Sequence, residues 1–509
     1  MMKQLSLNQQ SALNIVASIA VVAINVVINF ALSPYIVAHL GVEANGYITL
    51  ANNFVSYIAL VTMALNSMAG RFILIDYRKG NQQSANEYYS SVLLGDWILA
   101  AIFFLPMLLF VVFIDSIIRV PSEFLWDTRI LFAIVFLNYI LQLCIPQWQT
   151  VTYCTNNLYL RSLKNAVSAI VRAVAIYLLF LLLTPHSYYV ALAALLMSLV
   201  SISIDYVFYK RLMPELQWRY SWFRFEKVKE LILSGIWNTI SQCGNLLLEG
   251  LDILIANIFI NPIASGVLAL SKIVPNMIHQ ITGTVATTYG PRLTYLYADG
   301  KIDEMAHELK NNIMIVSVLA NIPIGVFLAF GSSFFTLWVP SQDAVQLTIL
   351  SSLSLLGMLF AGLSQCFVNI FGVVNRLKLN SLVVIGSGFI NLGCVFLLLK
   401  FTNLGIFSVV AASSTISIIR IFCFTIPYSA ILINASWRSF AFYLIKGASN
   451  VLVPLMVGFL ICHFIEVNSW TSLLICFGLT AILALAIDCF VVLDKNQREV
   501  IIKKLHIIK

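Results

Sequence analysis

The stretch that decides the fold is GYITLANNFVSYIALVTMALNSMAGRFILIDYRKG, residues 46–80. Its glycines Gly46, Gly70 and Gly80 recur as Gly266, Gly290 and Gly300, each displaced by 220 residues. The surroundings recur in kind. Gly70-Arg71-Phe72-Ile73, Tyr77 and Lys79-Gly80-Asn81 parallel Gly290-Pro291-Arg292-Leu293, Tyr297 and Asp299-Gly300-Lys301. The same displacement pairs Ser18 with Asn238, Asn25 with Asn245 and Asn29 with Glu249. A fixed offset of this kind is the signature of an internal repeat. Both stretches leave the second apolar span of a half, cross a basic loop and enter the next span. An even displacement of six spans keeps orientation, so the halves are parallel repeats about an axis along a membrane normal.

Working outward, fourteen apolar segments can each hold a membrane-crossing helix. They lie near 11–38, 46–70, 91–114, 130–153, 166–184, 188–208, 230–260, 265–290, 311–335, 345–371, 380–399, 404–433, 442–465 and 470–493. Hydrocarbon about 30 Å thick needs roughly 20 apolar residues per helix, and backbone groups in lipid must be bonded within the segment. Numbering the gaps puts 24 of the 30 lysines and arginines on one side and only Arg119, Arg129 and Lys400 on the other. Arg172, Lys272 and Arg420 fall inside spans. Short basic loops stay cytoplasmic, so both termini are expected inside. A composition of 60% hydrophobic and 10% charged residues excludes a soluble domain of ordinary usage. The net charge of +8 then reflects loops facing an anionic leaflet, not nucleic acid. The nine cysteines sit in or beside spans and imply no disulfide framework. The start reads as an uncleaved anchor rather than a signal peptide.

The expected organisation is an all-α integral membrane protein with an N-terminal six-helix lobe, 1–208, and a C-terminal one, 230–434. Between them, 209–229 interleaves bases with Trp218, Tyr220, Trp222, Phe223 and Phe225, the pattern of an amphipathic cytoplasmic linker in the headgroup layer. An additional helix pair, 435–493, and a basic cytoplasmic tail, 494–509, follow.

Nothing in the motifs indicates an enzyme. There is no phosphate loop ending in GK[ST], no metal-ligand spacing among the six histidines and no Gly-x-Ser-x-Gly elbow. What stands out is polarity on helices that should be apolar. Asn238, Gln242, Asn245, Glu249 and Asp252 follow spacings of 4, 3, 4 and 3, which share one face of a straight helix. Lys272, Asn276, His279 and Gly283 follow 4, 3 and 4, and the first span carries Asn25 and Asn29. A charge at mid-bilayer costs about 2.5–3.5 kcal/mol on insertion scales, so such groups face a cavity or a partner. One reading is a brace in which Lys272 pairs with Glu249 or Asp252. The other is a water-filled lumen between halves. There Glu249 and Asp252, with His279 as a relay or a packing residue, take a coupling proton or sodium ion. Asp96 and Asp488 lie nearer the inner surface and are expected to pair with loop bases.

Two local groups carry a family resemblance: Leu40-Gly41-Val42-Glu43 followed by Gly46-Tyr47, and Leu251-Asp252-Ile253-Leu254-Ile255 followed by Asn261 to Gly266. With the topology, they resemble the multidrug/oligosaccharidyl-lipid/polysaccharide exporter superfamily. Within it, the chain is similar to the polysaccharide transporters that flip lipid-linked oligosaccharides of O-antigen, capsule and exopolysaccharide assembly. The resemblance implies alternating-access movement of an undecaprenyl-diphosphate-linked glycan across a bacterial plasma membrane, coupled to H+ or Na+, without a resident cofactor. It implies membrane lipids and other polysaccharide-assembly proteins as partners. On that reading Lys272, Arg420 and Arg172 meet the diphosphate, and Asn25, Asn29, Asn238, Gln242, Asn245 and Asn276 meet sugars. Glu249, Asp252 and His279 would serve the coupling ion. A proton- or sodium-coupled multidrug or cation exporter of the same fold is the alternative. A membrane glycosyl polymerase or ligase would need a larger outer loop than 115–129.

Overall fold

The computed structural model describes residues 7–287, 289–374 and 376–492; the side chain of Ser18 and the basic tail 494–509 lie outside them. All regular structure among the described residues is helical. Among the described residues eleven helices are long and apolar enough to cross a membrane, or twelve if the bent pair Phe225–Gly250 and Asp252–Ile260 is one span. The chain is thus a multi-pass integral membrane protein. The first helix, α1 (Leu7–Asn66), is a continuous run of 60 residues broken at Gly41, whose φ of 84° and ψ of 168° leave the helical region. That break falls between the first two expected spans.

The glycine repeat has a structural cause at two of its three positions; at Gly70 and Gly290 a Cβ would meet nothing closer than 3.5 Å. The stretch read as a loop after the second span is a short helix, α2 (Ala69–Arg78), with Ala69 and Ile73 buried. Its counterpart is Gly290–Ala298. Apolar residues at helical spacing, interrupted by bases, make these surface helices rather than loops. Gly80 and Gly300 end them with φ of 76° and 71°. The Asn81 amide reaches the Asp76 carbonyl at 3.0 Å, and the Lys301 amide reaches that of Leu296 at 2.9 Å. These are the same left-handed C-terminal caps, for which glycine carries no Cβ penalty. The helix that follows is α3 (Gln82–Val112), N-capped by the Asn81 side chain, in one half and Ile302–Trp338 in the other.

Gly46 and Gly266, the first repeated pair, touch each other. A Cβ on Gly46 would lie 2.9 Å from the Gly266 nitrogen, and one on Gly266 would lie 2.1 Å from the Val42 carbonyl oxygen. Backbone leaves no room to yield, so Gly266→Ala is expected to destabilise by about 1–3 kcal/mol or more. Gly393→Ala, on a helix where a Cβ would meet nothing within 4 Å, should leave the melting temperature unchanged or slightly raised. Thermal unfolding of the two variants in detergent checks the contrast.

The chain divides into two compact units, one running to Leu246 and including Ile253–Val267, the other comprising Leu247–Asp252 and the chain from Leu268 onward. In the first, α1 packs on Leu125–Cys144, Leu158–Leu182 and Phe225–Asn245, while Tyr188–Leu212 covers Leu125–Cys144 and Leu158–Leu182. The segment before Phe225 is tied to α3. Buried Asn86 and Ser90 accept from the backbone amides of Gln217 and Arg219 at 3.0 and 3.1 Å, and Ser91 from Arg224 at 3.0 Å. Met213 and Leu216 are buried there, whereas Trp218 and Tyr220 remain exposed. In the second unit Ile302–Trp338 is central, packed by Ala344–Val373 and by the late helices Trp437–Ser449, Leu452–Phe464 and Trp470–Ile487. Asn321 donates to the Gly447 carbonyl at 2.6 Å, fixing one of those late helices to it.

Candidate functional site

The polar residues of the seventh apolar stretch do not keep one face. Phe225–Asn245 runs into a π-helical turn, Leu246–Gly250, and a second one, Ala256–Ile260, ends the stretch. Each π turn adds a residue to the helical repeat and rotates the residues beyond it. Gln242 and Asn245 bond one another at 2.9 Å within the first unit, while Glu249 and Asp252 belong to the second.

In the second unit, Asp252 is 2% exposed and accepts from the Lys272 ammonium, with the Ser413 hydroxyl 3.4 Å away. Lys272 falls at the break between the helices Pro262–Ser271 and Ile273–Thr287, and also donates to the Glu249 carbonyl at 3.1 Å. Arg420 ends the helix Ile406–Arg420 just before a π turn and lies within electrostatic reach of Glu249; its Nε is buried without a hydrogen-bond partner. Two carboxylates and two bases therefore share one neighbourhood whose charges balance. Serines Ser354, Ser413, Ser414 and Ser417 line the narrow cavity beside Glu249, Asp252 and Lys272. The sequence reading passed over these serines, although 413, 414 and 417 share a helical face. Asn276 is exposed, and His279 is half-buried with an unbonded Nδ1.

In the first unit, Arg172 on Leu158–Leu182 donates to the Asn29 side-chain oxygen at 3.0 Å, and its Nε is buried without a partner. No described carboxylate forms an ion pair with it. Asn25 turns its amide back to the Val21 carbonyl at 3.0 Å, and Asn238 is half-buried on Phe225–Asn245.

Two features escaped the sequence reading. Asp96 meets amides rather than a loop base: Asn66 donates at 2.9 Å and Gln147 at 3.3 Å. Lys164, counted among the loop bases, is buried inside its helix and pairs with Asp205 at 2.8 Å. Its charge suggested a loop, but the helix begins at Leu158 and a counter-charge arrives from 41 residues away.

Searched against known protein families, the chain matches no family model. It is 26% identical over 503 residues to EpsK, an uncharacterised membrane protein of Bacillus subtilis strain 168, with 97% of each chain covered. It superimposes on the lipid II flippase MurJ in an inward closed conformation with a TM-score of 0.64 at 13% identity, over 94% of this chain and 98% of that one. An inward-facing multidrug resistance MATE transporter of the MOP superfamily gives 0.63 at 14% identity, over 83% and 99%. The MATE multidrug transporter DinF-BH gives 0.62 at 14%, over 85% and 99%. The fold is the MATE/MurJ-like membrane fold, and the proteins that share it here are transporters and flippases, not enzymes.

Proposed function

We propose that this protein is a flippase moving undecaprenyl-diphosphate-linked oligosaccharide units from the inner to the outer leaflet of a bacterial plasma membrane by alternating access. The observation that carries the reading is Arg172: a guanidinium with a buried, unbonded Nε whose bonded partner is a neutral amide. A half-buried cation with a sealed, bare Nε and no carboxylate calls for an anionic ligand, and a guanidinium fork fits phosphate oxygens. Arg420 also carries a bare Nε, though with Glu249 within electrostatic reach. Lys272 is held by Asp252 until a stronger anion competes for it. A diphosphate carries more charge than one carboxylate and meets it in a low-dielectric setting, where the pull is stronger than in water. Release of Asp252 then leaves a carboxylate that needs a proton or a sodium ion, which supports ion coupling through Asp252 and Glu249.

The same reading takes fourteen spans with both termini cytoplasmic. Dividing α1 at Gly41 and adding the bent pair and the broken helix Pro262–Thr287 brings eleven helices to fourteen, and the basic loops then alternate sides. The runner-up is a proton- or sodium-coupled exporter of cationic drugs, favoured by the exposed Glu249 and by the MATE likeness. Vesicles holding the purified protein separate the two. The flippase reading expects movement of a lipid-linked glycan and no gradient-driven uptake of a cationic dye. Dye uptake without glycan movement would favour the exporter.

A further inference from the structure

The first unit contains a polar site apart from Arg172. Two adjoining cavities of about 390 and 380 Å³ share Asn66, Gln147 and Gln149. The inner one is lined by Asp96, Lys164 and Asp205, which are 2, 4 and 8% exposed. Ionisable groups buried to this degree are costly and mark functional sites in membrane proteins, and the Lys164–Asp205 pair and the amides on Asp96 offset only part of the cost. Asp205 gives one oxygen to Lys164, while its other, Oδ1, is buried with no hydrogen-bond partner. It is an acceptor awaiting a donor. The outer cavity carries Arg71 and Arg161, both exposed at its mouth.

Charge and shape select the ligand. Asp96 and Asp205 against Lys164, Arg71 and Arg161 leave a net positive charge, which disfavours a free metal cation. Carboxylates and side-chain amides deep inside suit hydroxyl groups, which donate and accept in turn. Trp148, whose ring packs on Tyr206 and Tyr209, forms part of the wall. The inner volume falls in the range of small-molecule sites, roughly 300–1,000 Å³. Guanidinium groups at the mouth suit a phosphate. We infer that the paired cavities bind a phosphorylated sugar, its ring in the inner chamber at Asp96, Asp205 and Gln147 and its phosphate at Arg71 and Arg161. Where this extends to the glycan of an incoming lipid-linked substrate, it rests on the flippase reading; the sugar-phosphate site itself does not.

The test is saturation-transfer NMR on the full chain in lipid nanodiscs. The probes are glucose 1-phosphate, galactose 1-phosphate and N-acetylglucosamine 1-phosphate, beside the free sugars, with inorganic phosphate added as a competitor. Transfer to ring protons of at least one sugar phosphate is expected, stronger than for its free sugar. Asp96→Asn and Arg161→Gln should each weaken it by about ten- to a hundredfold, the loss of one charge-assisted hydrogen bond. Arg161→Gln alters an exposed mouth residue, so it stays informative if Asp96→Asn fails to fold, and Lys400→Ala in the other unit should retain the signal. No transfer from any sugar phosphate, binding unchanged in Arg161→Gln, or inorganic phosphate displacing a sugar phosphate at equal concentration would overturn the inference. Lipid-linked glycan moved without sugar-phosphate binding would sink this site alone. Binding without glycan movement would sink the flippase reading alone.

Discussion

Arg172→Ala should cut translocation of a polyprenyl-diphosphate glycan by about thirtyfold to several thousandfold while leaving the fold almost as stable as before. The two halves of that expectation come from the same geometry. Within the protein Arg172 bonds to the neutral Asn29 side chain, so its removal strands no buried carboxylate. The fold then loses about 0.5–1.5 kcal/mol, the net worth of an ordinary hydrogen bond. A bound diphosphate would lose a charged partner in a desolvated place, which costs about 2–5 kcal/mol. Arg172→Lys should recover only part of the rate, because an ammonium keeps the charge but not the two-pronged geometry. Melting temperature and leaflet movement measured on the same preparations test it. Equal rates in wild type and Arg172→Ala would remove the diphosphate from this residue.

Lys272 should behave in the opposite way. Its ammonium neutralises Asp252, which is 2% exposed, so Lys272→Ala leaves an unpaired buried carboxylate. Breaking a buried pair by removing one partner costs about 3–5 kcal/mol. Removing both partners withdraws the unpaired charge, so Lys272→Ala with Asp252→Ala should regain most of the lost stability. Transport should not return with it, since the base proposed to meet the diphosphate is still gone. A double variant that both folds and transports would reduce the pair to a structural brace, the bland alternative that the sequence already offered. A double variant no more stable than Lys272→Ala would mean that the two side chains are not energetically coupled.

The last pair of the repeat was legible in the chain because its cause is local. A glycine that must adopt positive φ after a short helix is specified by its own neighbours, and Gly80 and Gly300 advertise the same cap at the same offset. The short helices themselves were missed, since bases within Ala69–Arg78 look like a loop to a hydropathy reading. The pairing of Lys272 with an acid was visible as a helical-spacing argument, but the choice of Asp252 over Glu249 was not. That choice depends on the π turn at Leu246–Gly250 and on the helix break at Lys272, both set by packing rather than by composition. The Lys164–Asp205 pair and the amide cradle of Asp96 had no signature at all. Their partners come from separate helices, and a single sequence holds no spacing rule for such contacts. The buried polar residues lining the first unit's cavities were thus the least visible in sequence, whereas Arg172, Lys272, Asp252 and Arg420 were all named there.

The central claim is tested most directly by reconstituting the purified protein in liposomes whose inner leaflet carries a fluorescent polyprenyl-diphosphate oligosaccharide. Appearance of the label in the outer leaflet is followed with a membrane-impermeant quencher. The account predicts protein-dependent appearance, well above protein-free vesicles and strongly reduced in Arg172→Ala. Folded protein that leaves the glycan in its original leaflet, under either an imposed proton gradient or a sodium gradient, would contradict it.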